Sequence, residues 1–295
     1  MRIHVVANPT AGRGRARALA QAVGAALVAR GASVTVHLTT APGDAQAYVG
    51  ALSPTSGDRI VAVGGDGTLH EIVNAFPAPF PLAVSVVPLG TANLVARDAH
   101  VPLGADVETY ARIALEGVPW KVDLLATDAG RSLANVGIGL DAEVVRAVAR
   151  ARKGGVGGYA RWLGPIAKTF LEYAPPALEV CVDGGPVVRG GAVVVQSTRN
   201  YGGLFTLASD ARMDDGRLEV TVLRRASRRN FFLMLLRAYA GRLDRDHGVA
   251  ILRGTAVTVR SAVAAPVQTD GDPSGTTPVG VRVLPGALTL LRPAP

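Results

Sequence analysis

Four times in its first hundred residues the chain runs from an apolar stretch rich in Val and Ile into a helix-forming stretch. The strand candidates are Ile3 to Ala7, Ser33 to Leu38, Arg59 to Val63 and Leu82 to Val87. The helix candidates are Ala16 to Arg30, Gly43 to Ala51, Thr68 to Ala75 and Thr91 to Arg97. This alternation predicts a doubly wound, mostly parallel α/β sheet. Such a sheet gathers the C-terminal ends of its strands on one edge, and open α/β folds bind ligands there.

The pattern changes near residue 122. Strand candidates then dominate: Val122 to Thr127, Ser132 to Ile138, Ala177 to Val182, Gly191 to Ser197, Leu218 to Leu223, Thr255 to Ser261, Val279 to Leu284 and Ala287 to Leu291. Asp183-Gly184-Gly185, Asp215-Gly216 and Pro285-Gly286 supply turn signals. Helices are expected at Asp141 to Ala151, Tyr159 to Tyr173 and Arg228 to Arg242. Two domains are therefore expected, an α/β domain over 1–122 and a β-rich, sandwich-like domain over 123–295. Hydrophobic residues make up 48% of the chain but aromatics only 5%, so Ala, Val and Leu must fill both cores.

The single cysteine, Cys181, excludes an internal disulfide and a multi-cysteine zinc site, and reads as a buried thiol. No stretch reaches the roughly 18 apolar residues of a membrane span. A cytoplasmic protein is expected, with any membrane contact peripheral, at the inner face. The net charge of +8 suits an anionic membrane or phosphorylated ligands. A basic stripe interleaved with aromatics is missing, so no nucleic-acid partner is expected. A homodimer stays open.

Three strand ends carry glycine-bearing polar loops: Asn8-Pro9-Thr10-Ala11-Gly12-Arg13-Gly14, Gly64-Gly65-Asp66-Gly67-Thr68 and Val87-Pro88-Leu89-Gly90-Thr91-Ala92-Asn93. Glycine lets the backbone come close to a ligand, and amides opening a helix favour an anion. All three fall on the ligand-binding edge. None ends in the Gly-Lys-Ser/Thr of a P-loop. Gly137-Ile138-Gly139-Leu140-Asp141-Ala142 follows a strand and opens a helix, but no second strand ending in an acidic residue follows, as a dinucleotide site requires.

With Asn135-Val136-Gly137-Ile138-Gly139-Leu140-Asp141, Asp214-Asp215-Gly216-Arg217-Leu218 and Thr269-Asp270-Gly271-Asp272, these loops make six ordered motifs. The set resembles the diacylglycerol kinase catalytic-domain family, which includes sphingosine and ceramide kinases and bacterial soluble lipid kinases. NAD kinases and phosphofructokinases share the Gly-Gly-Asp-Gly element and the α/β fold, but not the full set. The resemblance implies ATP and Mg2+ as cofactors and a lipid as substrate. It assigns ATP to Asn8, Pro9, Thr10, Ala11, Gly12, Thr39, Gly64, Gly65, Asp66, Gly67, Thr68, Leu69, His70 and Thr91. It implies a structural Mg2+ on two backbone carbonyls and one carboxylate, at Arg212, Asp215 and Arg217.

Acidic residues remain for the chemistry. Family members carry Asp-Gly-Glu late in the chain, and this chain reads Asp270-Gly271-Asp272. Either aspartate can take the alcohol proton, and Asp270-Gly271 also reads as a hairpin turn. Asp66 is expected to organise the metal and phosphates, and Asp123 is a secondary candidate near the metal. The expected reaction moves the γ-phosphoryl group of Mg-ATP to a lipid hydroxyl, most simply one like diacylglycerol's. An NAD kinase-like small-molecule kinase and a non-catalytic nucleotide- or lipid-binding module are the rivals. The lipid itself is not legible. Two basic patches, Arg224 to Arg229 before Phe231-Phe232 and Arg150 to Lys153, are candidates for membrane contact.

Overall fold

The computed structural model describes residues 1–151, 164, 167–169, 172, 174, 176–224, 228–243 and 248–294. It divides into two compact units, Met1–Val122 with Gly286–Pro295, and Asp123–Pro285.

In the first unit β1 (Arg2–Ala7), β2 (Ser33–Leu38), β3 (Arg59–Gly64) and β4 (Ala83–Pro88) form a parallel sheet in the order β2-β1-β3-β4. The helices are α1 (Ala16–Ala29), α2 (Asp44–Gly50), α3 (Asp66–Val73), α4 (Leu94–Asp98) and α5 (Val107–Glu116). Ile3, Val5, Leu27, Ile60, Val61, Ile72 and Val84 are fully buried in its core. Alanine lets α1 lie close to the sheet, and a Cβ at Gly24 would fall 2.9 Å from Val36 Cγ2. Helix α1 stops at Gly31, whose φ of 84° is the left-handed geometry glycine supplies at a helix end.

Several expected boundaries moved. Helix α5 was not foreseen, although Asp106 caps it by accepting from the Thr109 amide at 2.7 Å. Helix α4 begins at Leu94 rather than Thr91, because Asn93 sits left-handed at φ 49°. The last residues of the chain belong to this first unit, not to a second domain running to 295. They add a strand parallel to β4, with Thr289 opposite Ala83, and they bury Leu288, Leu290 and Leu291.

Strand β5 (Val118–Thr127) carries the chain into the second unit. There follow β6 (Gly130–Ser132), β7 (Asn135–Gly139), α6 (Leu140–Ala151), β8 (Leu178–Val182), β9 (Val188–Gly190), β10 (Ala192–Gln196), β11 (Asn200–Tyr201) and β12 (Phe205–Thr206). Next come β13 (Leu218–Leu223), α7 (Arg228–Tyr239), β14 (Val249–Gly254), β15 (Ala256–Ser261), β16 (Pro266–Thr269), β17 (Asp272–Thr276) and β18 (Val279–Arg292). One sheet runs β14-β13-β10-β7-β16-β17. The first part of β18 pairs antiparallel with β15, then β8 and β9 follow. Val136, Ile138, Val193, Val195, Val220 and Val222 of the one sheet pack on Leu178, Val180, Val257, Val259 and Val281 of the other. Alternating small aliphatics thus make a sandwich.

The two strands expected at Val279 to Leu284 and Ala287 to Leu291 are one, β18. Gly286 takes up a φ of 58° and the strand continues through the Pro-Gly signal. Conversely, the strand expected over Ser132 to Ile138 breaks into β6 and β7. Cys181 is half-buried rather than buried, and its Sγ donates to the Gly185 carbonyl at 3.2 Å. Most of the helix expected at Tyr159 to Tyr173, and Arg152, Lys153 and Arg225 to Ser227 of the basic patches, lie outside the described residues.

Candidate functional site

In the first unit the three glycine-bearing loops lie at the C-terminal ends of β1, β3 and β4, which the parallel register makes neighbours. The amide of Asn8 donates to Val63 O at 3.2 Å, and that of Leu89 donates to Gly64 O at 2.7 Å. Asn8 also folds its own loop, as its Oδ1 accepts from the amide and hydroxyl of Thr10 at 3.0 and 2.8 Å. Pro9 and Ala11 flank this turn. Gly12 and Arg13 then adopt positive φ, 60° and 59°. Thr39 follows β2, its amide donating to Ala7 O at 2.9 Å.

The contact of the Gly64 and Gly90 loops is closer still. A Cβ on Gly65 would lie 2.8 Å from Gly90 Cα, and one on Gly90 would lie 2.6 Å from Gly65 Cα. A Cβ on Gly64 would fall 2.3 Å from Thr68 Oγ1. Neither Gly64 nor Gly65 has positive φ, so these glycines are required for room. Asn93 closes the Gly90 loop from within, accepting from the Gly90 amide at 2.8 Å and donating to its carbonyl at 2.9 Å.

Asp66 joins the two loops. Its carboxylate accepts from the amides of Leu94 at 3.1 Å and Val95 at 3.4 Å, the first residues of α4. The sequence suggested a metal and phosphate role for this residue. The structure gives its oxygens a capping duty that fixes one loop against the other. Gly67 is exposed, Thr68 and Leu69 are buried, and His70 and Thr91 are half-buried. Replacing Gly65 by alanine is expected to force the loops apart, at about 1–3 kcal/mol of strain. Isothermal titration should then show weakened nucleotide binding.

In the second unit Asp270 and Gly271 are the two-residue loop between β16 and β17, with Thr269 opposite Asp272. Their φ values, 49° and 90°, give the turn the handedness that two-residue hairpins favour. The Asp270 carboxylate accepts from Ser132 Oγ at 2.7 Å and from the amides of Leu133, Ala134 and Asn135 at 2.8, 2.9 and 3.1 Å. Asp272 is half-buried at the first position of β17.

Asp123 is 2% exposed and accepts from the Gly216 amide at 2.7 Å, in the turn that carries Asp215. Asp215 accepts from the Arg217 amide at 3.0 Å and pairs with the Arg253 guanidinium. Arg212 reaches Asp214 at 3.1 Å. Glu219 was missed in the sequence, where strand alternation reads it as solvent-facing. It is 2% exposed, and no hydrogen bond reaches either carboxylate oxygen, although Arg253 Nε lies 3.2 Å from Oε1. Burial, and next the Asp215 charge, push its pKa up to about 7. Glu219 thus has an ion pair but no hydrogen bond, and the oxygen donors at Arg212, Asp215 and Arg217 are of the type magnesium takes.

The first unit is thus a parallel α/β sheet with glycine-bearing loops at its strand ends, and the second a β sandwich with an acidic hairpin. Residues 2–127 match the family model described as diacylglycerol kinase catalytic domain. Residues 134–292 match the one described as YegS C-terminal NAD kinase beta sandwich-like domain. A diacylglycerol kinase of Bacillus subtilis (strain 168) is 26% identical over 94% of this chain and 91% of its own. A probable YegS-like lipid kinase of Xanthomonas euvesicatoria pv. vesicatoria (strain 85-10) is 34% identical over 70% of this chain and 68% of its own. A solved structure from Bacillus anthracis str. Sterne, described provisionally as a diacylglycerol kinase, shares the fold with a TM-score of 0.79 at 23% identity, covering 99% of this chain and 97% of that one. The chain belongs to the diacylglycerol kinase catalytic-domain family, among its YegS-like lipid kinases.

Proposed function

We propose that the chain transfers the γ-phosphoryl group of ATP to the hydroxyl of a diacylglycerol-like lipid. The observation that carries this reading is the interlock of the Gly64 and Gly90 loops through Gly65, Gly90 and Asp66, beside the Asn8 loop on the neighbouring strand. It leaves backbone close to a ligand at the strand ends where α/β sheets bind one. The loops at Asn8 to Gly12, Gly64 to His70 and Thr91 hold the triphosphate, with Thr39 beside them. Magnesium bound with ATP neutralises charge on the transferring oxygens. Arg212, Asp215 and Arg217 would hold a second, structural magnesium.

Asp272 takes the hydroxyl proton. The support is that four donors bind the Asp270 carboxylate into the fold, and that Asp272 stands where the family resemblance implies a glutamate. Peripheral docking on an anionic membrane from the cytoplasmic side belongs to the same proposal. No helix among the described residues is long and apolar enough to cross a membrane. On α7, Leu236 and Tyr239 are 50% and 71% exposed, near the half-buried Arg237.

The test uses labelled ATP with diacylglycerol and other lipid alcohols in anionic vesicles, and with NAD as an acceptor. Labelled lipid is expected from the wild type, and much less from Asp66→Ala, whose α4 loses its cap. Vesicle co-sedimentation reads the docking in the same samples. Transfer to NAD alone, or ATP binding without transfer to any acceptor, would sink the proposal.

A further inference from the structure

The Gly137–Asp141 segment takes no part in the chemistry above, yet it anchors a buried polar network in the second unit. That network centres on Gln268, which is 1% exposed. Its Oε1 accepts from the Gly271 amide at 2.7 Å. Its Nε2 donates to Asn135 Oδ1 at 2.9 Å and to Asp141 Oδ2 at 2.9 Å. Both ends of the amide are thus used, and both of its N–H groups have acceptors.

Gly137 makes the arrangement possible. It lies opposite Gln268 in the β7–β16 register. A Cβ there would fall 1.5 Å from Asp141 Oδ2 and 2.6 Å from Gln268 Nε2. The carboxylate therefore lies directly over the glycine. Burial pushes the Asp141 pKa up to about 6, with the Gln268 hydrogen bond opposing it. The glycine pair that falls short of a dinucleotide site in the sequence is a seat for a side-chain carboxylate.

The network ends on the hairpin turn. Asp270 is held from one side by the 132–135 segment, and Gly271 from the other by Gln268. Asp272 is the next residue. We infer that Gln268, clamped between Asn135 and Asp141 over Gly137, is a positioning residue that sets the direction of Asp272. This rests on the reading of Asp272 as proton acceptor. The residue acts through the turn and touches no reacting group. Small displacements suffice, since a 1 Å error in a reacting group costs up to about 10²-fold in rate.

Gln268→Glu tests it. The new side chain keeps an oxygen for the Gly271 amide but turns a second oxygen on Asp141 and on Asn135 Oδ1. Asn135 can rotate its amide to donate instead, whereas the Asp141 carboxylate has no N–H to offer. The expected result is a fall in kcat of about 10–100-fold, with KM for ATP unchanged. Adding Asp141→Asn returns an N–H to that contact, with its direction reversed, and is expected to restore most of kcat. Asp141→Ala, which removes one acceptor from Gln268, should lower kcat several-fold, and Asp141→Asn alone should keep most of it.

Melting temperatures separate unfolding from misplacement. If Gln268→Glu does not fold, the Asp141 pair decides alone. Wild-type kcat in Gln268→Glu, or in Asp141→Ala where that pair decides, overturns the inference. So does a loss in Gln268→Glu that Asp141→Asn leaves unrepaired. Asp272→Asn is measured alongside. If it stays active, the reading of the base has failed. If it is inactive while the network variants behave as wild type, only the positioning role has failed.

Discussion

Replacing Asp272 by asparagine is expected to lower kcat for lipid phosphorylation by about 10²–10⁴-fold, the usual range for a lost general base. Asparagine has nearly the same shape and keeps a hydrogen-bonding oxygen, but it cannot take up a proton at neutral pH. Asp272 opens β17 and is half-buried, so the exchange should leave the melting temperature close to that of the wild type. Nucleotide binding should persist as well, because the Gly64 and Gly90 loops belong to the other unit. Steady-state kinetics with varied ATP and varied lipid give the measurement. A kcat above a tenth of the wild-type value, in a protein that still phosphorylates lipid, would remove Asp272 from the chemistry. Asp272→Glu restores the residue that the family resemblance implies, and it should remain active.

The fold was legible where the signal is local. Val-rich runs followed by glycine-bearing loops gave β1, β3 and β4. The capping contact of Asp66 was not legible, because it depends on where α4 begins. That start is set by the left-handed Asn93, 27 residues further along the chain. The Gln268–Asp141 contact spans 127 positions, so no spacing rule reaches it. Glu219 misled for a different reason. Alternation in Leu218-Glu219-Val220-Thr221 marks one face polar, and polar faces usually meet water. Here the neighbouring part of that face is covered, as Val194, Leu207 and Met234 pack together. Glu219 and Thr221 are left 2% and 3% exposed. Likewise, nothing within Asp270-Gly271-Asp272 distinguishes its two carboxylates. The distinction comes from four donors in residues 132–135.

Those donors make Asp270→Ala the variant with the largest expected loss of stability. Three amides lose this acceptor at once, while the Ser132 hydroxyl keeps the Asn135 carbonyl at 2.9 Å, and each buried donor left unpaired costs about 1–3 kcal/mol. Water will satisfy some of them, because Asp270 itself is half-buried. Alanine also fits poorly at the native φ of 49°, which adds about 1–2 kcal/mol. A total near 3–5 kcal/mol corresponds to a fall in melting temperature of roughly 10 °C. Two further variants separate the causes. Asp270→Gly accepts the left-handed backbone and loses only the hydrogen bonds, so it should recover about the conformational part. Asp270→Asn keeps one acceptor oxygen and tolerates the conformation, so it should recover most of the stability, and activity with it. The pair then behaves oppositely: asparagine is expected to rescue position 270 and to abolish turnover at 272. An Asp270→Ala protein that melts like the wild type but has lost activity would reverse the assignment. Asp270 would then be the proton acceptor, and its four hydrogen bonds would be the means of holding it in place.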